Sequence, residues 1–112
     1  MKIISAPIKK EEIINNYNHF FKKMVKAVVD VEKRIMAVDA ELHADLEEML
    51  LENGSRQNSL WGINLYLENE KDDWIAYTAL INIRLALGND GMEIKNETIK
   101  KKIAEIVYQL IV

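Results

Sequence analysis

Apolar and polar residues alternate over several stretches of the chain, and this period of two is typical of β-strands with one face in a core. In 25–32 the odd-numbered positions are apolar, and the same holds in 60–67 from Trp61 onward. In 74–85, apolar residues again recur at every second position. We therefore predict a strand in each of these three ranges.

Two shorter apolar segments complete the predicted sheet. Residues 2–5 are interpreted as a first strand that ends before Pro7, because proline has no backbone N–H to donate to a neighbouring strand. Residues 35–38 follow the strand 25–32 after a tight turn at 33–34. That close spacing predicts a β-hairpin.

Apolar residues at three- and four-residue spacing predict helices over 9–21, 39–53 and 97–112. Asp39 is interpreted as the N-cap of the second helix, and Asn53–Gly54 as its C-terminal stop. In the competing interpretation, the second segment is extended and Asn53–Gly54 is a hairpin turn. The four-residue spacing favours the helix.

The predicted order of elements is β-α-β-β-α-β-β-α, in a single domain that spans 1–112. Hairpins outnumber possible crossovers, which predicts an α+β fold with a mostly antiparallel sheet of about five strands. The three helices are expected to pack mainly on one face of that sheet. A chain of 112 residues is long enough to bury a core without disulfides.

Composition and charge exclude several classes of function. The 15 basic and 18 acidic residues give a net charge of −3, whereas nucleic-acid-binding domains usually carry clustered positive charge, so nucleic acid is an unlikely partner. The chain has no cysteine, which excludes thiolate metal sites and fits a cytoplasmic location. No segment reaches the roughly 18 apolar residues of a membrane span. The scattered glycines form no phosphate-binding loop, so no cofactor is predicted.

The densest polar cluster surrounds His43. On a helix, Asp39, His43 and Glu47 would lie four residues apart on one stripe. In an extended chain, Glu41, His43 and Asp45 would project to one side. Either arrangement suits general acid–base chemistry or a shared metal ion, and the structural alternative is a solvated helix face. We name His43, Glu41 and Asp45 as candidate catalytic residues and leave metal binding open.

A second candidate site lies on the polar face of the predicted sheet. Asn64, Asn82 and Arg84 would leave the face opposite the core, where an arginine between amides suits an anionic or amide ligand. The structural alternative is a solvent-exposed face of the sheet with ion pairs between neighbouring strands. Trp61 is added because Gly62, a glycine inside a strand, indicates a bulge or a close approach by another backbone or a ligand.

Five sequence blocks resemble a prokaryotic family of small proteins that is defined only as a domain of unknown function. The blocks are Met24 to Lys33, Glu41 to Asp45, Leu50 to Ser55, Leu60 to Tyr66 and Ile81 to Arg84. Members of that family often follow the last block with a proline and a loop that contains an arginine, whereas this chain has Leu85 and then 88–91 without arginine. The resemblance spans nearly the whole chain and implies no activity. It also weakens the hypothesis of an anion site at Arg84.

Two classes of function fit these residues. Exposed strand edges, Gly62 and the lack of a catalytic set favour a small binding or interaction module that self-associates and whose small-molecule ligand is unknown. The alternative is a small enzyme, such as a metal-assisted hydrolase, that uses His43 and its neighbouring carboxylates. A third hypothesis, an RNA-directed protein, is disfavoured by the acidic charge balance.

Overall fold

The computed structural model describes residues 1–112 and contains five strands and three helices. All strand pairs are antiparallel, and the spatial order of the strands is β1-β3-β2-β4-β5. The elements are β1 (Lys2–Ile4), α1 (Lys10–Asn16), β2 (Val25–Asp30), β3 (Ile35–Val38), α2 (His43–Glu52), β4 (Leu60–Leu65), β5 (Ile75–Ala76) and α3 (Glu97–Leu110).

Each face of the sheet buries its own set of apolar side chains. Ala27, Val29 and Ile63 project to one face, where they share the main core with Ile13 of α1 and Ile103 of α3. A smaller cluster on the opposite face joins the sheet to α2. The predicted α+β class with an antiparallel sheet is confirmed, and two of the three helices share one face. The members of the smaller cluster are Val28, Ala37, Ala40, Leu46, Leu50 and Leu60.

The hairpin between β2 and β3 is closed by the buried carboxylate of Asp30. It accepts hydrogen bonds from the backbone N–H groups of Glu32 and Lys33, both at 2.9 Å, and from the Ser55 hydroxyl at 2.6 Å. Because Ser55 follows the end of α2, one side chain fixes both the turn and the position of the helix end. Gly54 has a φ of +92° directly after α2, which confirms the predicted left-handed helix stop.

The start of α2 differs from the prediction. Asp39 is not its N-cap: the helix begins at His43, and the cap position is Leu42, whose side chain has no acceptor. Asp39 instead adopts a left-handed conformation with a φ of 75°. Its buried carboxylate accepts the backbone N–H of His19 at 2.9 Å. The first helix is also shorter than predicted, since α1 ends at Asn16.

The predicted long strand over 74–85 is wrong. Only β5 pairs with the sheet, and 3-10 turns follow at Leu80–Asn82 and Leu85–Leu87. Two buried asparagine side chains take the place of strand pairing. Asn82 accepts the Gly62 N–H at 2.8 Å and donates to the Gly62 carbonyl at 2.9 Å. Asn89 donates to the carbonyl of Asn82 at 2.8 Å and holds the rest of the loop.

Gly62 allows this close approach because it has no side chain. A Cβ atom built at Gly62 would lie 2.5 Å from the Ala79 Cβ and 3.2 Å from the His43 Cδ2. A contact of 2.5 Å cannot be accommodated without movement, so an added methyl group would push the segment 78–82 away from β4. The close approach that the sequence analysis considered at Gly62 is therefore present in the structure.

We expect Gly62→Ala to lower the free energy of unfolding by about 1–3 kcal/mol, the usual cost of overpacking a filled region. Gly91→Ala is the matched control, because a Cβ there meets no atom within 4 Å. Its effect should stay within about 0.5 kcal/mol, as for most surface substitutions. Urea unfolding of both variants measures the difference. Equal stabilities of the two variants would contradict this account of Gly62.

Candidate functional site

A cavity of about 390 Å³ lies on the α2 face of the sheet, between the first turn of α2, β4 and the segment 78–92. Contacts of α2 and of the Leu80–Asn82 turn with the sheet place these two elements side by side. Seven of the eleven lining residues are hydrophobic: Met24, Leu42, Ala44, Ala79, Leu80, Ile81 and Met92. The polar lining residues are Lys26, His43, Asn64 and Thr78.

His43 is the first residue of α2 and lies buried in the wall of the cavity, with only 8% of the residue exposed. Its Nε2 lies 2.8 Å from the carbonyl oxygen of Ile63. Because a carbonyl can only accept, Nε2 carries the proton and donates it. The opposite nitrogen, Nδ1, is then an acceptor, and the side chain of Asn64 interacts with the ring.

Burial lowers the pKa of His43 below its usual 6.5, because a charged imidazolium would lose hydration. The Ile63 carbonyl opposes this lowering of the pKa, the positive charge of Lys26 adds to it, and the side chain of Asn64 also opposes it. The pKa of His43 therefore favours the neutral ring near neutral pH. A neutral imidazole with a free Nδ1 can accept a hydrogen bond or act as a general base.

The other two candidate catalytic residues do not reach the imidazole. Glu41 and Asp45 are both exposed and make no hydrogen bond to His43. Glu47, the alternative partner on the helical stripe, instead pairs with Arg84. No group of three histidine, cysteine, aspartate or glutamate side chains is arranged to hold a metal ion. Of the three candidate catalytic residues, only His43 lines the cavity.

Asn64 lies in the cavity wall, as one of the predicted ligand-binding residues. Its Nδ2 donates to the backbone carbonyl of Thr78 at 3.2 Å. Its Oδ1 is buried and has no hydrogen-bond partner within the fold. A buried acceptor without a donor is unfavourable by about 1–3 kcal/mol. Such groups are uncommon in native folds. Because this oxygen has almost no accessible surface, a molecule in the cavity cannot contact it unless its neighbours move.

Lys26 was not among the predicted site residues, although it lies directly opposite Asn64 in the pairing of β2 with β4. It is the single charged residue in the cavity wall. No carboxylate forms an ion pair with it, and its Nζ lies 5.1 Å from the centre of the Phe21 ring. The alternation of β2, which puts lysine on the face of Asn64, is the sequence signal that could have identified it.

Arg84 lies outside the cavity wall and holds the segment 78–92 in place. It donates to the Glu47 carboxylate and to the Gln57 carbonyl, both at 2.9 Å, and its guanidinium lies 5.1 Å from the Trp61 ring centre. Burial lowers the pKa of Arg84, and the attraction of Glu47 opposes that change. Because the charge of Arg84 is balanced by Glu47, the guanidinium serves to link the segment 78–92 to α2.

The remaining predicted ligand-binding residues have structural surroundings. Trp61 is buried in the main core, with its ring beneath Arg84. Both polar atoms of the Asn82 amide are bonded to backbone groups of Gly62, and its Nδ2 also donates to Met92 at 3.1 Å. Of the four predicted ligand-binding residues, only Asn64 joins His43 in the cavity wall.

A histidine–carboxylate pair does occur, but between residues that the sequence analysis did not join. The Nδ1 of His19 lies 2.5 Å from the Asp39 carboxylate. The carboxylate is buried and the imidazole is 66% exposed, outside the cavity wall. The pair fastens the loop that precedes β2 to the end of β3. Its partners are 20 positions apart, so no local spacing could have revealed it.

Comparison with known proteins identifies the family. Residues 2–110 match the model of a family described as "Protein of unknown function (DUF5674)". The chain belongs to this family. The resemblance seen in the sequence blocks is thereby confirmed, and the family description assigns no activity. No curated protein and no solved structure matches the chain.

The same fold contains no helix that is both long and apolar enough to cross a membrane. Its longest helix, α3, has 14 residues and lies against the main core through Ile103, Ile106 and Val107.

The lowered pKa of His43 predicts how stability depends on pH. Above pH 6.5 the ring is neutral in both the folded and the unfolded chain, so its contribution to stability is fully present. As pH falls below 6.5, the unfolded chain binds a proton that the folded chain resists. The free energy of unfolding should therefore fall until the pH has passed the folded-state pKa.

Urea unfolding over neutral to mildly acidic pH measures this loss. His43→Gln is the control, because glutamine can still donate to the Ile63 carbonyl but does not titrate in this range. The variant should lack the part of the pH dependence that is due to His43. An NMR titration that places the His43 pKa above 6.5 in the folded protein would contradict the prediction.

Proposed function

We propose that this domain is a binding module and that its binding site is the cavity beside His43. The observation that carries the proposal is a mostly apolar cavity of about 390 Å³ whose few polar lining residues include Lys26, His43 and Asn64. Apolar walls with a few convergent polar groups are typical of sites for small molecules.

Exposed apolar side chains at the cavity support this proposal. Leu42, Leu80 and Met92 line the cavity and are exposed by 55%, 70% and 43%. Apolar side chains that remain in water lose the favourable free energy of burial, about 25 cal/mol per Å². A contiguous group of them commonly marks a binding surface. A ligand in the cavity would cover part of these side chains.

The alternative function is catalysis by His43. It is supported by the neutral imidazole, whose Nδ1 is free to accept a proton. Neither Glu41 nor Asp45 contacts the ring, so this mechanism would need a second group from the substrate or from water. His43→Gln separates the two functions. A binding site should retain most of its affinity for an apolar ligand in this variant, whereas a general base would be lost.

Self-association and a cytoplasmic location are part of the same proposal. Ile83, Leu85 and Leu87 are exposed in the loop next to the cavity and do not line it, so a second copy of the chain could cover them. The cysteine-free composition supports a reducing compartment. Sedimentation velocity over a range of concentrations tests the association. A species that stays monomeric at every concentration would contradict it.

Binding in the cavity can be tested with the neutral apolar fluorophore N-phenylnaphthylamine, whose emission rises in an apolar site. We expect saturable binding, and Leu80→Ala should weaken it about fivefold through the loss of partial apolar burial. Leu85→Ala is the matched control, because Leu85 is similarly exposed, at 76% against 70% for Leu80, but does not line the cavity. Its affinity should stay within about twofold of the unsubstituted protein.

Amide chemical-shift changes at Leu42, Ala44 and Thr78 would locate the fluorophore in the cavity. Equal losses of affinity in Leu80→Ala and Leu85→Ala, or shifts confined to other surfaces, would contradict the proposed site.

A further inference from the structure

We propose that the cavity receives a small monocarboxylate with an apolar body, such as a medium-chain acid, and that Lys26 holds its carboxylate. This inference rests on the proposed binding function and specifies its ligand. It concerns a different cation from Arg84, whose charge is already matched by Glu47.

The charge of the cavity wall supports an anionic ligand. Lys26 is the single charged residue among the eleven that line the cavity, and no acidic side chain is among them. Lys26 has no carboxylate within 4.0 Å, and its Nζ lies 5.1 Å from the centre of the Phe21 ring. A ligand carboxylate would supply the missing partner.

The start of α2 adds a second favourable feature for a negative charge. Leu42, His43 and Ala44, at the first turn of the helix, all line the cavity. The N-cap residue Leu42 provides no side-chain acceptor, so the first backbone N–H groups are left without a cap. The positive end of the helix dipole and these free donors stabilise anions. They act here together with the ammonium group of Lys26.

The number of charges favours a monoanion. His43 lines the same cavity, but its buried ring stays neutral near neutral pH, so it supplies no positive charge. One unpaired ammonium group then matches one carboxylate better than a phosphate with two charges. The largely apolar remainder of the wall, including Leu80, Ile81 and Met92, suits an aliphatic or aromatic body.

Decanoate and decanol test this inference, because they share the apolar chain and differ in the head group. Each displaces N-phenylnaphthylamine from the protein if it enters the cavity. We expect decanoate to bind about tenfold more tightly than decanol, since a charge-assisted contact of about 1.5 kcal/mol corresponds to that ratio. In Lys26→Met, which keeps the apolar stem, decanoate should lose about tenfold in affinity and decanol less than about twofold.

Lys101→Met is the matched control for the loss of one positive charge, because Lys101 is exposed on α3, away from the cavity wall. It should leave both affinities unchanged. Thermal unfolding of each variant establishes that the fold is retained. An NMR titration of the Lys26 side chain with decanoate gives a second readout that does not depend on the fluorophore.

The outcomes separate the two proposals. If decanol and decanoate bind equally, and Lys26→Met changes neither, the carboxylate inference is overturned and the binding function stands. If neither compound nor the fluorophore binds, both proposals are overturned. If an apolar peptide with a free C-terminus binds more tightly than decanoate, the assignment to a small molecule is overturned.

Discussion

Two hydrogen bonds join the side-chain amide of Asn82 to the N–H and the carbonyl of Gly62, and the shape of the α2 face depends on them. They form because residue 62 has no Cβ, so the segment 78–82 can approach the backbone of β4. That approach places Ala79, Leu80 and Ile81 as the outer wall of the cavity. An asparagine side chain has the same amide donor and acceptor as a peptide group, and it satisfies the buried backbone here as a neighbouring strand would.

The polar groups of the molecule divide into those that the fold uses and those that it leaves free. Asp30, Asn82 and Asn89 are buried, and their hydrogen bonds close turns and loops. Arg84 is balanced by Glu47, so its partial burial costs less than that of an isolated charge. The polar side chains of His43, Asn64 and Lys26 instead line one cavity, and none of the three forms an ion pair. This concentration is what distinguishes the cavity from the rest of the surface.

Local patterns predicted the parts of the fold that depend on local geometry. The alternation in β2 and β4 and the stripe of α3 gave the correct elements, because a core on one side imposes a period of 2 or 3.6. The same alternation failed over 74–85, where buried amides of Asn82 and Asn89 replace strand pairing. In this segment only Trp74, Ala79 and Asn82 are buried, and Ile83 and Leu85 are exposed, so the apolar alternation did not correspond to a buried strand face.

The site was predicted only in part, for a related reason. His43 and Asn64 were identified because histidine and asparagine stand out beside apolar neighbours, and both line the cavity. Lys26 was missed because the alternation of β2 gives its face, whereas its position opposite Asn64 depends on the pairing of β2 with β4. Arg84 was placed on a ligand-binding face, but its partner Glu47 is 37 positions away in the chain. Tertiary contacts determine which charged side chains form ion pairs. Such contacts cannot be derived from the spacing of residues along the sequence.

The amide of Asn82 also affects how the sheet meets other molecules. An edge strand with a long row of free N–H and carbonyl groups acts as a template on which a second chain can add a strand and begin to aggregate. The part of β4 that extends beyond β5 would be such a row, but Asn82 occupies both backbone groups of Gly62 at its centre. The outermost strands, β1 and β5, have three and two residues. Any assembly of this domain would therefore be built through side chains, and its sheet is protected against growth from one molecule to the next.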